Sequence, residues 1–185
     1  DGAQRIDQLV STLSDLNMDS VALTEHGNMF SVVPYYKEAK KAGIKPIIGC
    51  EVYVAIESRY GRQSARGLSH GSNHLVLLAK NDKGYRNLTK LVSLGYQEGF
   101  YYFPRIDKEL LRKYGEGLIC LSACVAGEIS HLIRGEGVDE AEKAVLEYVE
   151  IFGDDYYLEI QRHGIEIEAK VNDGLIHFHK KLGIP

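Results

Sequence analysis

Short apolar runs rich in β-forming residues recur along this chain, and each gives way to a segment whose apolar positions repeat at helical spacing. That alternation implies βαβ units and a largely parallel sheet. The spacing predicts helices over residues 4–16, 31–42, 82–95, 126–134, 139–152 and 165–182. Strands are expected over 20–23, 46–54, 74–79, 117–121 and 156–160. Ser31 and Asp139 stand where N-caps belong, and Gly43 and Gly183 where helices stop. The run 74–79 does not alternate, so it reads as buried on both faces. The polar, glycine-containing stretch 57–73 reads as an excursion loop. Five strands fit a barrel of about seven units, and they also fit an open doubly wound sheet. Neither GxGxxG nor GxxxxGKS occurs, so the nucleotide-binding forms of the open sheet lose weight.

At 185 residues the chain suits one domain with a proper core. A formal charge of −4 argues against a surface that binds nucleic acid electrostatically over its whole extent, and leaves room for a local basic patch. No apolar run approaches the roughly 20 residues that span a bilayer, and nothing at the start resembles a signal peptide. Three cysteines without a CxxC pair indicate neither a disulfide framework nor a zinc ribbon, so a cytoplasmic, reducing compartment is expected. The chain opens on Asp1-Gly2 without methionine and stops at Ile184-Pro185, which reads as the opening of a strand. A piece of a larger protein is expected.

Four residues able to hold a metal sit at or beside successive strands: His26 in ThrGluHisGly, Glu51 in GlyCysGluValTyr, His74 in AsnHisLeuVal, and Cys124 after LeuSerAla. Imidazole, carboxylate and thiolate are the usual ligands of zinc and its neighbours. Strand ends in α/β folds are where such side chains converge. Each residue alone has a plainer reading: His74 as a hydrogen-bonded structural histidine, Cys124 as a small buried hydrophobe, Glu51 as the partner of a lysine or arginine. Other groups carry less. His177 and His179 lie two apart on a helix and do not share a face. Cys50 and Cys120 fall inside apolar runs and read as core. Lys37, Lys40, Lys41 and Lys45 read as a solvated helix face, and Arg162 and His163 flank a strand end. Arg59, Arg62 and Arg66 follow the strand bearing Glu51 and are the candidates for contact with a DNA backbone.

ThrGluHisGlyAsn, LysProIleIleGlyCysGluValTyrVal, HisLeuValLeuLeuAlaLysAsn, GlyTyrArgAsnLeuThrLysLeuValSer, LeuSerAlaCysValAlaGlyGluIle and TyrLeuGluIleGlnArgHisGly occur in that order along nearly the whole chain. In this it resembles the PHP (polymerase and histidinol phosphatase) domain family. The likeness is to the version at the amino terminus of bacterial replicative polymerases, the DNA polymerase III alpha subunits. The GlyTyrArgAsnLeu helix and the segment PheTyrTyrPheProArgIle resemble that version more than stand-alone PHP phosphatases.

The resemblance implies a distorted (β/α)7 barrel, here lacking its first and last strands, whose strand ends hold up to three divalent ions, zinc or manganese. It implies Asp1, His26, Glu51, His74 and Cys124 as ligands, with Glu51 bridging two ions and Glu51 and His26 acting in catalysis through the metal. The His-x-His expected before Asp1 and the Asp-x-His expected after Pro185 are not in this sequence. It further implies a phosphoesterase or 3′–5′ exonuclease (proofreading) site within a DNA-directed DNA polymerase whose own magnesium-dependent domain lies elsewhere. DNA, the remaining polymerase domains, the sliding clamp and the clamp loader would be its partners. A stand-alone phosphatase of the histidinol phosphatase kind, or a non-catalytic domain stabilised by metal, are the competing readings.

Overall fold

The computed structural model describes residues 4–62, 71–135 and 137–185. In chain order the elements are α1 (Ile6–Asp15), β1 (Ser20–Leu23), α2 (Val32–Lys41), β2 (Lys45–Ala55), β3 (Ser72–Ala79), α3 (Asp82–Gln97), β4 (Phe100–Tyr101), β5 (Phe103–Ile106), α4 (Lys108–Tyr114), β6 (Leu118–Leu121), α5 (Glu128–Gly135), α6 (Val138–Phe152), β7 (Tyr156–Tyr157) and α7 (Glu166–Leu182). The strands form one sheet in the order β4-β5-β2-β3-β6-β7, and β1 pairs with the first half of β2. The α/β class is therefore as expected, and Asp1 and Arg66 lie outside the described residues.

The sheet is mixed where a largely parallel one was expected. β1, β2, β5, β6 and β7 run one way, while β3 and β4 run the other. β3 follows β2 in the chain and returns antiparallel beside it.

Alternation along the strands sorts the two faces. Cys50, Val52 and Val54 of β2, Leu75 and Leu77 of β3, and Leu118 and Cys120 of β6 form the buried face. Against it pack Leu88 and Leu91 of α3, Val145 and Tyr148 of α6, and Leu175 and Phe178 of α7. Each such side chain contributes about 1.5–3 kcal/mol when fully removed from water. Cys50 and Cys120 thus belong to the core, as their apolar surroundings imply. A second cluster ties α1 to α2 through Val10, Leu13, Tyr35 and Ala39, and the Tyr35 hydroxyl donates to the Val21 carbonyl.

Three local expectations need correction. Ser31 does precede α2, but its side chain caps nothing; its N–H and hydroxyl both donate to the Glu25 carboxylate, at 3.0 and 2.8 Å. α6 starts one residue early, so Asp139 sits in the first turn and Gly137 occupies the cap position. The strand expected over 156–160 ends at Tyr157, and the Leu158 N–H goes instead to the Pro185 carbonyl at 2.9 Å. Two elements were not anticipated at all: the β4–β5 hairpin, turning at Tyr102 with φ of 59°, and α4, capped by Asp107.

Candidate metal centre

The strand register dictates which side chains meet. β1 pairs with β2 up to Leu23 opposite Ile48, and after a short break the ladder resumes in phase with His26 opposite Glu51. Two backbone bonds close this step, from Gly27 N–H to Glu51 O at 2.8 Å and from Glu51 N–H to Glu25 O at 3.0 Å. Partners in register project from the same face, so the imidazole of His26 and the carboxylate of Glu51 share one side. On the other edge of β2, Tyr53 pairs with His74 and Glu51 with Val76, which sets His74 diagonally across from Glu51 on that same side. Glu51 therefore stands between two histidines carried by the neighbouring strands. The His26 Nδ1 lies 3.3 Å and the His74 Nδ1 2.5 Å from the same carboxylate oxygen, Oε1.

Cys124 reaches this cluster by a different route. β6 ends at Leu121, and Ala123 adopts a left-handed φ of 63°, which turns the chain back toward β3. The Cys124 sulfur then lies 3.8 Å from His74 Nδ1 and accepts from the Ala126 N–H at 3.4 Å. The strand end is closed by the His74 N–H, which donates to Ala126 O at 3.0 Å. The structure thus brings His26, Glu51, His74 and Cys124 to one end of the sheet.

The electrostatics fit a site that holds positive charge. Burial alone would raise the Glu51 carboxyl, but His74 and His26 outweigh it and hold the group below the usual carboxylate range. His74 is raised to about 9, first by its contact with Cys124 and then by Glu51. These two partners thus favour the proton on His74. A cation able to displace that proton would inherit the same donors.

The donor set fits a metal in kind, and two of its three close separations fit one in spacing. Ligands of a tetrahedral ion at about 2.0–2.3 Å lie roughly 3.3–3.8 Å from one another. The His26–Glu51 separation of 3.3 Å and the Cys124–His74 separation of 3.8 Å fall at the two ends of that range, whereas His74 and Glu51, hydrogen-bonded at 2.5 Å, would have to part for both to ligate one ion. The His26, Glu51 and His74 donor atoms all lie within 4.8 Å of one another. His26 is 36% exposed at its side chain, which leaves the cluster open to solvent on one side.

Two supporting residues were missed in the sequence. The Tyr53 ring meets His74 edge-on at 5.2 Å and stacks on Phe103 at 4.5 Å, so it fixes the tilt of the imidazole. Glu25, by gathering Ser31, pins the loop that carries His26. A signal for Tyr53 did exist, since it shares the parity of Glu51 along its strand.

Gly27 shows how tightly that loop is set. It has φ of 65°, and an added Cβ would lie 2.9 Å from both Pro104 Cγ and Tyr53 Cε2. Gly27→Ala is expected to displace His26 and lower divalent-metal affinity about tenfold or more, the scale seen when the supports of a ligand are lost. Isothermal titration with zinc checks this, and unchanged affinity would show that the loop tolerates the shift.

Of the three arginines expected at a DNA backbone, Arg59 must be reassigned. It is 7% exposed, and its guanidinium pairs with Asp107 at 2.9 Å, Glu98 at 2.7 Å and Glu109 at 3.1 Å. A cation already surrounded by carboxylates has nothing left for phosphate. Arg62 is exposed. His163 is bound to Glu168 at 2.7 Å and His179 Nδ1 to the Ile184 carbonyl at 2.7 Å, so neither joins the cluster.

An α/β sheet that gathers imidazole, carboxylate and thiol donors at one end defines the class of domain to look for. A family model described as the PHP domain matches residues 1–163, and the chain belongs to that family. Within it, the chain is 50% identical over 185 residues to the DNA polymerase III subunit alpha of Borreliella burgdorferi, an alignment covering all of this chain and 16% of that protein. It is 45% identical over 186 residues to the DNA polymerase III subunit alpha of Thermus aquaticus, covering all of this chain and 15% of that one. The chain thus spans about one-sixth of the length of the curated relatives it matches. Among solved structures, it superposes with a TM-score of 0.54 and 11% identity on a candidate metal-dependent phosphoesterase from Bifidobacterium adolescentis, covering 100% of this chain and 80% of that one. At that identity the likeness is one of fold. Among the described residues, no helix is long and apolar enough to cross a membrane.

Proposed function

We propose that His26, Glu51, His74 and Cys124, joined by Asp1, hold divalent metal and hydrolyse phosphodiester bonds at the 3′ end of DNA, as the proofreading site of a bacterial replicative polymerase. The observation that carries this reading is the placing of one carboxylate oxygen of Glu51 against both imidazoles, at 3.3 and 2.5 Å. The names of the relatives, DNA polymerase III subunit alpha, supply the context of DNA. The description of the structural neighbour as a candidate metal-dependent phosphoesterase agrees with the chemistry.

When bound, a divalent ion would lower the pKa of a water toward neutrality and brace the attacking and leaving oxygens of the ester. The residues of this chain do the rest. Glu51 supplies the negative charge and, through its second oxygen, the capacity to serve two ions. His26 faces solvent and takes the side on which substrate arrives. His74, flanked by Tyr53 and Cys124, would hold the inner position, where a bound ion would compete with its proton. Nitrogen, oxygen and sulfur together suit zinc, with manganese as the other candidate.

The remaining polymerase domains, with their own magnesium, would extend beyond this domain. The sliding clamp and clamp loader would be partners of that whole protein, working in the cytoplasm. Arg62 keeps the role of a DNA-backbone contact. The reading is tested with the full-length protein, loaded with zinc or manganese, on a single strand labelled at its 5′ end. Shortening from the 3′ end that a chelator abolishes is the expected result; an intact strand with metal demonstrably bound would contradict it.

A further inference from the structure

The loop that carries His26 runs directly on into Met29 and Phe30, and there the protein leaves large apolar rings in water. Phe30 is 78% exposed, Phe100 54% and Tyr96 40%. These three come from three different elements, yet their rings touch in series. Phe30 lies 6.2 Å from Tyr96, and Tyr96 lies 6.1 Å from Phe100 with planes only 26° apart. Scattered surface hydrophobes are ordinary, whereas a contiguous exposed patch marks an interaction site. Phe30 and Tyr96, with Thr89, Ser93 and Gln97, line a cavity of about 340 Å³, at the small end of the range for ligand pockets.

The patch is joined mechanically to the metal-binding cluster. Gly27 packs on Pro104 and Tyr53, and the Tyr53 ring in turn rests on His74. A basic track leads to the rings. Arg86 and Lys90 stand one turn apart on the exposed face of α3, Lys90 near enough to Glu98 to favour its charged form. From Arg86 to Tyr96 the helix rises about 15 Å, the reach of a few nucleotides. The chain carries a net charge of −4, so this positive track is a local feature and not a general excess of lysine and arginine.

Cationic side chains that follow a backbone, ending in aromatic faces on which bases stack, are the chemistry of single-strand binding. Resting on the phosphodiester reading above, we propose that Phe30, Tyr96 and Phe100 form a stacking platform for the unpaired 3′-terminal bases of a DNA strand. Arg86 and Lys90 hold the adjoining phosphates, and the terminal ester is thereby presented to His26 and Glu51. A base can use the platform only after leaving its duplex, which is easiest at a mismatched end. The platform therefore makes the site selective for frayed ends before any bond is broken.

The test uses the full-length protein and a single strand carrying 5-iododeoxyuridine at its 3′ end, cross-linked by light. Cross-linked peptides containing Phe30, Tyr96 or Phe100 are expected. Phe30→Ala or Tyr96→Ala should cut the yield and raise KM for unpaired 3′ ends by roughly 5- to 100-fold, the effect of losing one base stack, with kcat less affected. Phe30→Tyr should restore both. Cross-links confined to regions outside residues 1–185, or alanine variants with unaltered yield and KM, would overturn the proposal. So would a structure of the DNA-free full-length protein in which another domain covers these rings, since that assigns them to an internal interface. Cross-linking at the rings in a protein that hydrolyses no strand would support the platform and sink the hydrolytic reading instead.

Discussion

Glu51→Ala in the full-length protein is expected to reduce metal-dependent hydrolysis of DNA 3′ ends to background and to leave nucleotide incorporation at least partly intact. Glu51 reaches both histidines, and its carboxylate oxygen Oε1 lies between them at 3.3 and 2.5 Å. Loss of a group that merely supports a ligand costs about 10- to 100-fold in metal affinity, so loss of a ligand itself should exceed that. The neighbouring Glu25 does not stand in, because it is committed to Ser31. Metal content and hydrolysis measured on the same purified variant provide the check. Full hydrolysis by the variant would remove Glu51 from the site.

The second large effect is structural. Arg59→Ala is expected to destabilise this domain by about 3–5 kcal/mol, the cost of removing one partner from a buried ion pair. The partner left behind is Asp107, which is 3% exposed. Asp107 also accepts the Arg59 N–H at 3.0 Å and caps α4 through the Leu110 N–H at 3.1 Å. Nearby, Arg105 is 2% exposed and donates to the Gly99, Arg59 and Gly61 carbonyls, so two arginines fasten the segment after β2 to β5.

For a domain of this size the loss corresponds to a fall in Tm of roughly 10 °C. Acid should act through the same network. Glu98 is held below its ordinary value of 4.5 by Arg59, so its contribution is present above that pH and is lost as pH falls through the lowered value. The variant should therefore lose less on acidification than the parent. An unchanged Tm together with weakened DNA binding would return Arg59 to the surface role first assigned to it.

Arg59 shows why parts of this molecule were illegible in the sequence. It stands in a polar, basic stretch that looks solvated, and its partners Glu98 and Asp107 lie 39 and 48 residues further on. Nothing local marks such a pairing. The β4–β5 hairpin was hidden for a related reason. Its strands are two and four residues long, Pro104 interrupts the second, and its turn at Tyr102 lacks the glycine or asparagine that would announce a positive φ.

The candidate site was more legible than the topology that builds it. His26, Glu51, His74 and Cys124 stood out by chemistry and placement, and all four gather in space. Yet His74 opens its strand, whereas Glu51 lies in the second half of its own. In an all-parallel sheet these positions would fall toward opposite ends. They meet because β3 runs antiparallel to β2, a reversal carried by no periodicity within either strand.

The central claim is that these side chains hold a metal ion. Anomalous diffraction at the zinc absorption edge, from crystals of the full-length protein soaked in zinc, tests it most directly. The account predicts a peak about 2.0–2.3 Å from a His26 or His74 nitrogen and a Glu51 oxygen, within bonding range for zinc. Zinc bound elsewhere in the crystal, with no peak between His26, Glu51 and His74, would contradict it.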